Sequence, residues 1–282
     1  KIASALVLGN TVVFKPSKEA SLSSLELARV FEKAELPAGV VNIVTGEGAL
    51  LGQHLAASEQ VDMISFTGST DVGREVMKAA ASNIKKLSLE LGGKSPNIVL
   101  SDCDLEPAAN GSLTAIFMNQ GQMCVAGSRC IVEEKIYDRF VSLLVEKTRR
   151  LKVGDPAHPA TDIGPQARRE LRDELHGLVR QAIAQGARPA LGCEVPIGPG
   201  AFYPVSILAD VRPGNVAARE ELFGPVAVVL RAESADHAVQ IANDSKFGLG
   251  ASLWTRSAAL AERLVPLIEA GAVFVNGLVK SD

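Results

Sequence analysis

No run of 18 uninterrupted apolar residues occurs in the 282-residue chain, so no segment reads as a membrane span. No block of Lys and Arg is present, and 29 basic against 32 acidic residues leave a formal charge of −3. That balance argues against nucleic acid or an anionic membrane as the main partner. Only four cysteines occur, Cys103, Cys124, Cys130 and Cys193, and none forms a C-x-x-C pair. A disulfide framework is thus not expected, and a reducing, cytoplasmic setting is. The four histidines (His54, His158, His176, His237) are scattered, with no H-E-x-x-H and no Cys/His cluster, so no metal site is expected. No secretory signal pattern opens the sequence, and no internal repeat or low-complexity segment is evident.

What is present is an ordinary globular mixture, 47% hydrophobic and 22% charged, which excludes wholesale disorder and fibrous repeats. Strand and helix signals alternate. The β-branched run Thr11–Phe14 precedes a helix predicted over Ser21–Ala34, with Leu22, Leu25, Ala28 and Phe31 at steps of three. Strands are expected at Val40–Val44, Met63–Phe66 and Lys86–Leu89, with a helix start near Gly48 and a helix from Asp71 to about Ala81. The alternation then continues. Strands are expected at Ile98–Leu100, Val205–Ala209, Val226–Leu230, Ala251–Trp254 and Ala272–Val275. Helices are expected at Leu105–Met118, Ile136–Leu151, Gln166–Gln185, Ala235–Asn243 and Ala258–Ile268. This is the βαβ pattern of a doubly wound parallel α/β sheet. Gly92-Gly93 is the best hinge, dividing a domain over 1–92 from a second α/β domain over 93–282. The chain opens on Lys1 inside an apolar stretch and stops just after a strand, so an internal piece of a longer protein, with open strand edges, is expected.

Four segments carry candidate chemistry. In Glu90-Leu91-Gly92-Gly93-Lys94 a carboxylate precedes a flexible pair, which suits a general base; taken alone, a surface Glu at a strand end is the better reading. Asn119-Gln120-Gly121-Gln122-Met123-Cys124 sets a thiol on a loop, where backbone N–H groups lower a thiol pKa and hold an oxyanion. The loop setting singles out Cys124 from the other three thiols. Gly46-x-Gly48-x-x-x-Gly52 runs from a strand into a helix, one residue longer than the usual dinucleotide fingerprint. Phe66-Thr67-Gly68-Ser69 does the same, placing N–H groups and a hydroxyl at a helix N-terminus, where pyrophosphate binds well. Two ordinary βα turns would look alike.

Together, GNTVVFKPS, FTGST, LELGGKSPNIVL, NQGQMCVAGSR, REELFGP, NDSKFGL and AVFVNG resemble, in order and spacing, the NAD(P)-dependent aldehyde dehydrogenase superfamily over essentially the whole chain. The resemblance implies a truncated cofactor-binding domain followed by a catalytic domain. It implies Cys124 as nucleophile, Glu90 as the base for the deacylating water and Lys1 near the nicotinamide ribose and proton path. Lys15, in the Lys15-Pro16-Ser17 segment, would hold the adenosine ribose, with Ser17 and Lys18 beside it. Gly48, Gly68 and Ser69 would face the nucleotide phosphates. Glu221 would grip the nicotinamide ribose, with Phe223 beside the nicotinamide. Many NAD-preferring members carry Glu where Lys18 stands, so the expected cofactor is NAD or NADP with a lean to NADP or dual use. The family's oxyanion asparagine lies in a W-N-F-P-like segment that this sequence does not contain, so the 282 residues alone are expected to be weak or inactive.

The second half is similar to succinate-semialdehyde dehydrogenases, with Ser281 where some place a hydroxyl for the substrate carboxylate. A small aldehyde is the expected substrate and a homodimer or homotetramer the expected assembly. Two rivals are a CoA-acylating aldehyde dehydrogenase and a non-catalytic remnant that at most binds nucleotide. A cofactor-free cysteine hydrolase leaves both phosphate turns unexplained.

Overall fold

The computed structural model describes residues 1–280, and Ser281 lies outside them. The chain divides into two compact units, Lys1–Gly92 and Gly93–Asp282.

The first unit carries helix α1 (Ile2–Val7), strand β1 (Val12–Phe14), α2 (Ser21–Lys33), β2 (Val41–Ile43), α3 (Gly48–Ala57), β3 (Met63–Thr67), α4 (Thr70–Ala80) and β4 (Lys86–Glu90). The strands are parallel, as the βαβ spacing predicts. They do not form one sheet: β1 pairs with β2, and β3 with β4, as two separate ribbons. The two turns expected to share a sheet therefore open from different ribbons. Neither β1 nor β3 has a second neighbour among the described residues, so each leaves an edge unpaired. A cavity of about 540 Å³ lies between β1 and α3, lined by Val13, Val44, Leu51, His54 and Leu55, among others. Ser69 caps α4, its hydroxyl accepting from the Val72 N–H at 3.3 Å.

The second unit is built on a seven-stranded sheet. Its strands are β5 (Pro96–Val99), β6 (Arg129–Glu133), β7 (Arg188–Leu191), β8 (Ser206–Ala209), β9 (Val226–Ala232), β10 (Ala251–Trp254) and β11 (Val273–Val275), in the order β11-β10-β5-β6-β9-β8-β7. All pairings are parallel except β7 with β8. The helices are α5 (Leu105–Phe117), α6 (Tyr137–Thr148), α7 (Arg169–Ala184), α8 (Val216–Arg219), α9 (Ala235–Asn243) and α10 (Ala258–Leu264). Alternation along β9 shows how both faces are filled. Val226, Val228 and Leu230 join a core with Leu175, Val179, Ile241 and Leu264 from α7, α9 and α10. Ala227 and Val229 turn to Ile116, Phe117, Phe140 and Leu144 of α5 and α6.

The boundaries differ from the sequence pattern where a specific group intervenes. The helix expected to reach Ile268 stops at Leu264, because Pro266 brings no N–H to continue it and a short 3₁₀ turn follows. The strand expected at Ile98–Leu100 begins instead at Pro96, paired with Arg129 of β6. Arg129 is itself buried and donates to the carbonyls of Ile241 (3.0 Å) and Ala242 (2.7 Å), closing the last turn of α9. No helix is long and apolar enough to cross a membrane among the described residues.

Candidate active site

Cys124 sits in the second unit, between α5 and β6, on a loop under backbone strain. Asn119 (φ 52°), Gln120 (φ 56°) and Gly121 (φ 68°) are three successive left-handed residues. Such conformations cost about 1–3 kcal/mol at a non-glycine residue and persist only where the surroundings hold them. Here they are held. Asn119 Nδ2 donates to the Gln122 carbonyl (3.2 Å), and Gln166 Nε2 to that of Gln120 (3.3 Å). The Ala167 N–H donates to Gln122 Oε1 at 3.1 Å. At Gly121 a side chain is excluded, since a Cβ would stand 2.2 Å from the Gly224 carbonyl oxygen. The loop thus delivers Cys124 partly exposed.

The other thiols sit in different settings. Burial pushes Cys130 up to about 12 and Cys193 to about 11. Cys103 is pushed to about 11 by burial, with Asp102 and Asp104 adding to it.

Glu221 and Phe223 lie on the turn before β9. The half-buried Glu221 carboxyl is held above the usual carboxylate range by burial, against the pull of the Gly93 N–H and Lys94. Gly93 N–H donates to Glu221 Oε1 at 3.0 Å. Phe223 adopts φ 48° and is 38% exposed, its ring turned outward while Gly224 packs on Leu175. Beside Gly93, Lys94 is fully buried with no hydrogen-bond partner for its Nζ among the described residues, and burial pulls it down to about 7. The second unit therefore brings Cys124, Glu221 and Phe223 together through two glycines, Gly93 and Gly224. The sequence gives Lys94 no role, since a lysine between Gly93 and Ser95 carries no sign of burial.

The first unit carries the remaining candidates. Lys15 Nζ donates to the Pro16 carbonyl (2.7 Å) and lies 4.0 Å from where a Cβ on Gly48 would stand. Lys15 and Gly48 are thus neighbours at the start of α3. Ser17 caps a one-turn 3₁₀ helix that carries the exposed Lys18, and its hydroxyl donates to Glu19. Gly68 and Ser69 lead into α4, but the Gly68 N–H is engaged by the Glu90 carbonyl at 3.1 Å. That leaves the Ser69 hydroxyl and the first N–H groups of α4 as donors. Glu90 is exposed at the end of β4. Lys1 Nζ donates to Thr67 Oγ1 at 2.5 Å; burial lowers its pKa and Glu90 partly restores it.

A family model described as the aldehyde dehydrogenase family matches residues 1–282. The chain belongs to the aldehyde dehydrogenase family. It is 43% identical over 289 residues to the NADP/NAD-dependent aldehyde dehydrogenase PuuC of Escherichia coli, covering 100% of this chain and 57% of that protein. With the betaine aldehyde dehydrogenase of Bacillus subtilis it shares 40% over 280 residues, 98% of this chain and 57% of the relative. Against the solved lactaldehyde dehydrogenase of Escherichia coli the TM-score is 0.98 at 37% identity, covering 100% of this chain and 59% of that one. This member of the family thus spans a little over half the length of the relatives it matches.

Proposed function

We propose that the protein oxidises a small aldehyde to the carboxylic acid with NAD+ or NADP+. The observation that carries this reading is the thiol of Cys124, delivered by a strained loop that packs directly on the turn bearing Glu221 and Phe223. A strained loop around a nucleophile is where pre-organisation is expected. The donor set is consistent with the nucleotide. Glu221 offers an acceptor for ribose hydroxyls, Phe223 an exposed ring, and Lys15 an ammonium beside Gly48.

The Cys124 thiolate attacks the aldehyde carbon, making a thiohemiacetal whose oxyanion the Cys124 backbone N–H receives. The nicotinamide, when bound, supplies the acceptor for the hydride that leaves this carbon. What remains on Cys124 is a thioester. Glu90 takes a proton from water, the resulting hydroxide attacks the thioester carbon, and the acid departs as the sulfur regains its electrons. A soft nucleophile and a separate base are thus both needed.

NAD(P)H absorbance with a panel of aldehydes tests this. Cys124→Ala is expected to abolish turnover, and Glu90→Gln to lower steady turnover while leaving a first burst of NAD(P)H. Equal, non-zero turnover by Cys124→Ala and wild type removes the reading. Lys18 supports NADP or dual use, so Lys18→Glu should move the kcat/KM ratio toward NAD by about threefold, the worth of one exposed charge pair. Within the panel, succinate semialdehyde probes the proposed preference for a carboxylated substrate. For the whole protein the proposal includes a homodimer or homotetramer, read by its mass in solution.

A further inference from the structure

The turn that carries Glu221 reaches the thiol loop from both ends of its four residues, through Gly93 at one and directly at the other. At one end Glu221 Oε1 accepts from the Gly93 N–H at 3.0 Å, and Gly93 is pressed on Cys124. A Cβ there would stand 1.8 Å from the Cys124 carbonyl oxygen and 3.0 Å from its carbon. At the other end the Gly224 carbonyl lies against Gly121, at 2.2 Å from where a Cβ would be. The circuit Glu221, Gly93, Cys124, Gly121, Gly224 therefore closes on itself. It also has fixed points. Lys94 and Ser95, which follow Gly93, are 1% and 2% exposed, and Gly224 is pinned by the buried Leu175. With Lys94 and Ser95 buried on its C-terminal side, Gly93 is seated between the Glu221 carboxylate and the Cys124 carbonyl.

We infer that Glu221 is a positioning residue for the Cys124 loop as well as a contact for nucleotide: through the Gly93 amide it braces the carbonyl of Cys124. This rests on the reading of Cys124 as nucleophile and Glu221 as ribose acceptor given above. A ribose hydroxyl that draws on the same carboxylate alters its hold on Gly93, so the thiol loop senses the occupant of the ribose position. The strain in residues 119–121 gives the brace its purpose. Without it, the loop relaxes toward ordinary backbone and exposes the sulfur.

Alkylation of Cys124 by iodoacetamide, followed by mass spectrometry of the Cys124 peptide and run without nucleotide, tests the brace. Glu221→Ala removes the acceptor for Gly93 and is expected to speed alkylation about tenfold, the scale of a lost charged hydrogen bond. Glu221→Gln keeps a carbonyl oxygen and is expected to stay within about twofold of wild type. Trp254 fluorescence reports whether the second unit stays folded in each variant. Gly93→Ala should act as Glu221→Ala does; should it fail to fold, the Glu221 pair alone decides. An Ala variant at the wild-type rate, or a Gln variant changed as much as Ala, overturns the brace. Because no nucleotide is present, the result is independent of turnover. Equal, non-zero NAD(P)H formation by wild type and Cys124→Ala, beside the split between the Ala and Gln variants of Glu221, removes the dehydrogenase reading and leaves the brace standing.

Discussion

The two units answer the same sequence logic with opposite degrees of burial. In the second, every residue of β5, β6, β8 and β10 is buried, and α7, α9 and α10 cover one sheet face while α5 and α6 cover the other. In the first, α1 and α2 bury no residue, and the buried apolar side chains are small, Pro16, Ala56 and Ala80. Leu22, Leu25, Val30, Val13, Met63 and Met77 are exposed, though their spacing is that of a core. The difference lies in the sheet rather than in the helices. Parallel strands need cover on both faces and neighbours on both edges, and a two-stranded ribbon is marginal in water. The β1–β2 and β3–β4 ribbons each supply half a platform, so the helices above them have little to pack on. An amphipathic pattern states what a helix is able to bury; the sheet decides what it does bury.

That contrast can be broken most sharply by hydrogen exchange. Amides of β1 to β4 are expected to exchange about a thousandfold faster than those of β6 and β9, as local opening would dictate. Equal protection would erase the distinction. Next in size are core truncations. Leu144→Ala, at a site with 0% exposure, should cost about 2–5 kcal/mol of stability to urea, a cavity-forming loss. Leu25→Ala, at 43% exposure, should cost under about 1 kcal/mol. The readouts separate cleanly, because Trp254, Tyr137 and Tyr203 all belong to the second unit, so intrinsic fluorescence follows that unit and exchange follows the other.

The remaining effect is in pH. Lys94 is pulled from 10.5 to about 7 in the folded state, so between those values the unfolded chain binds more protons. Stability should therefore rise with pH above about 7. The burial penalty stands in full below that. Lys94→Met should flatten the slope between pH 7 and 9 in urea midpoints read by Trp254; an unchanged slope would discard the assignment.

Much of this was readable from residues alone, for physical reasons. Val226–Leu230 and Ala251–Trp254 read as strands because continuous β-branched and apolar runs suit a sheet covered on both faces. Cys124 stood out because a thiol just after the polar, glycine-containing run Asn119–Gln122 falls on a loop rather than in a core element. Other features had no local signal. Strand β7, Arg188-Pro189-Ala190-Leu191, has no β-branched residue and carries Pro189, which only an edge strand accommodates. Helix α8 spans one turn and is set by Asn215, whose side chain accepts from the Ala217 N–H. The seating of Gly93 on Cys124 joins residues 31 positions apart, and glycine spacing says nothing of what a missing side chain makes room for. The division of β1–β4 into two ribbons was likewise hidden, since the pattern names strands and not their neighbours.

Strand β7 runs antiparallel to β8, so its connection is a surface excursion rather than a helical crossover. Within it Glu194–Gly200 is largely solvent-facing, and the side chain of Ile197 touches almost nothing. This is where the polypeptide tolerates lengthening: a tag, a fluorophore or a short inserted module placed there adds mass to the outer rim without asking any buried residue to move.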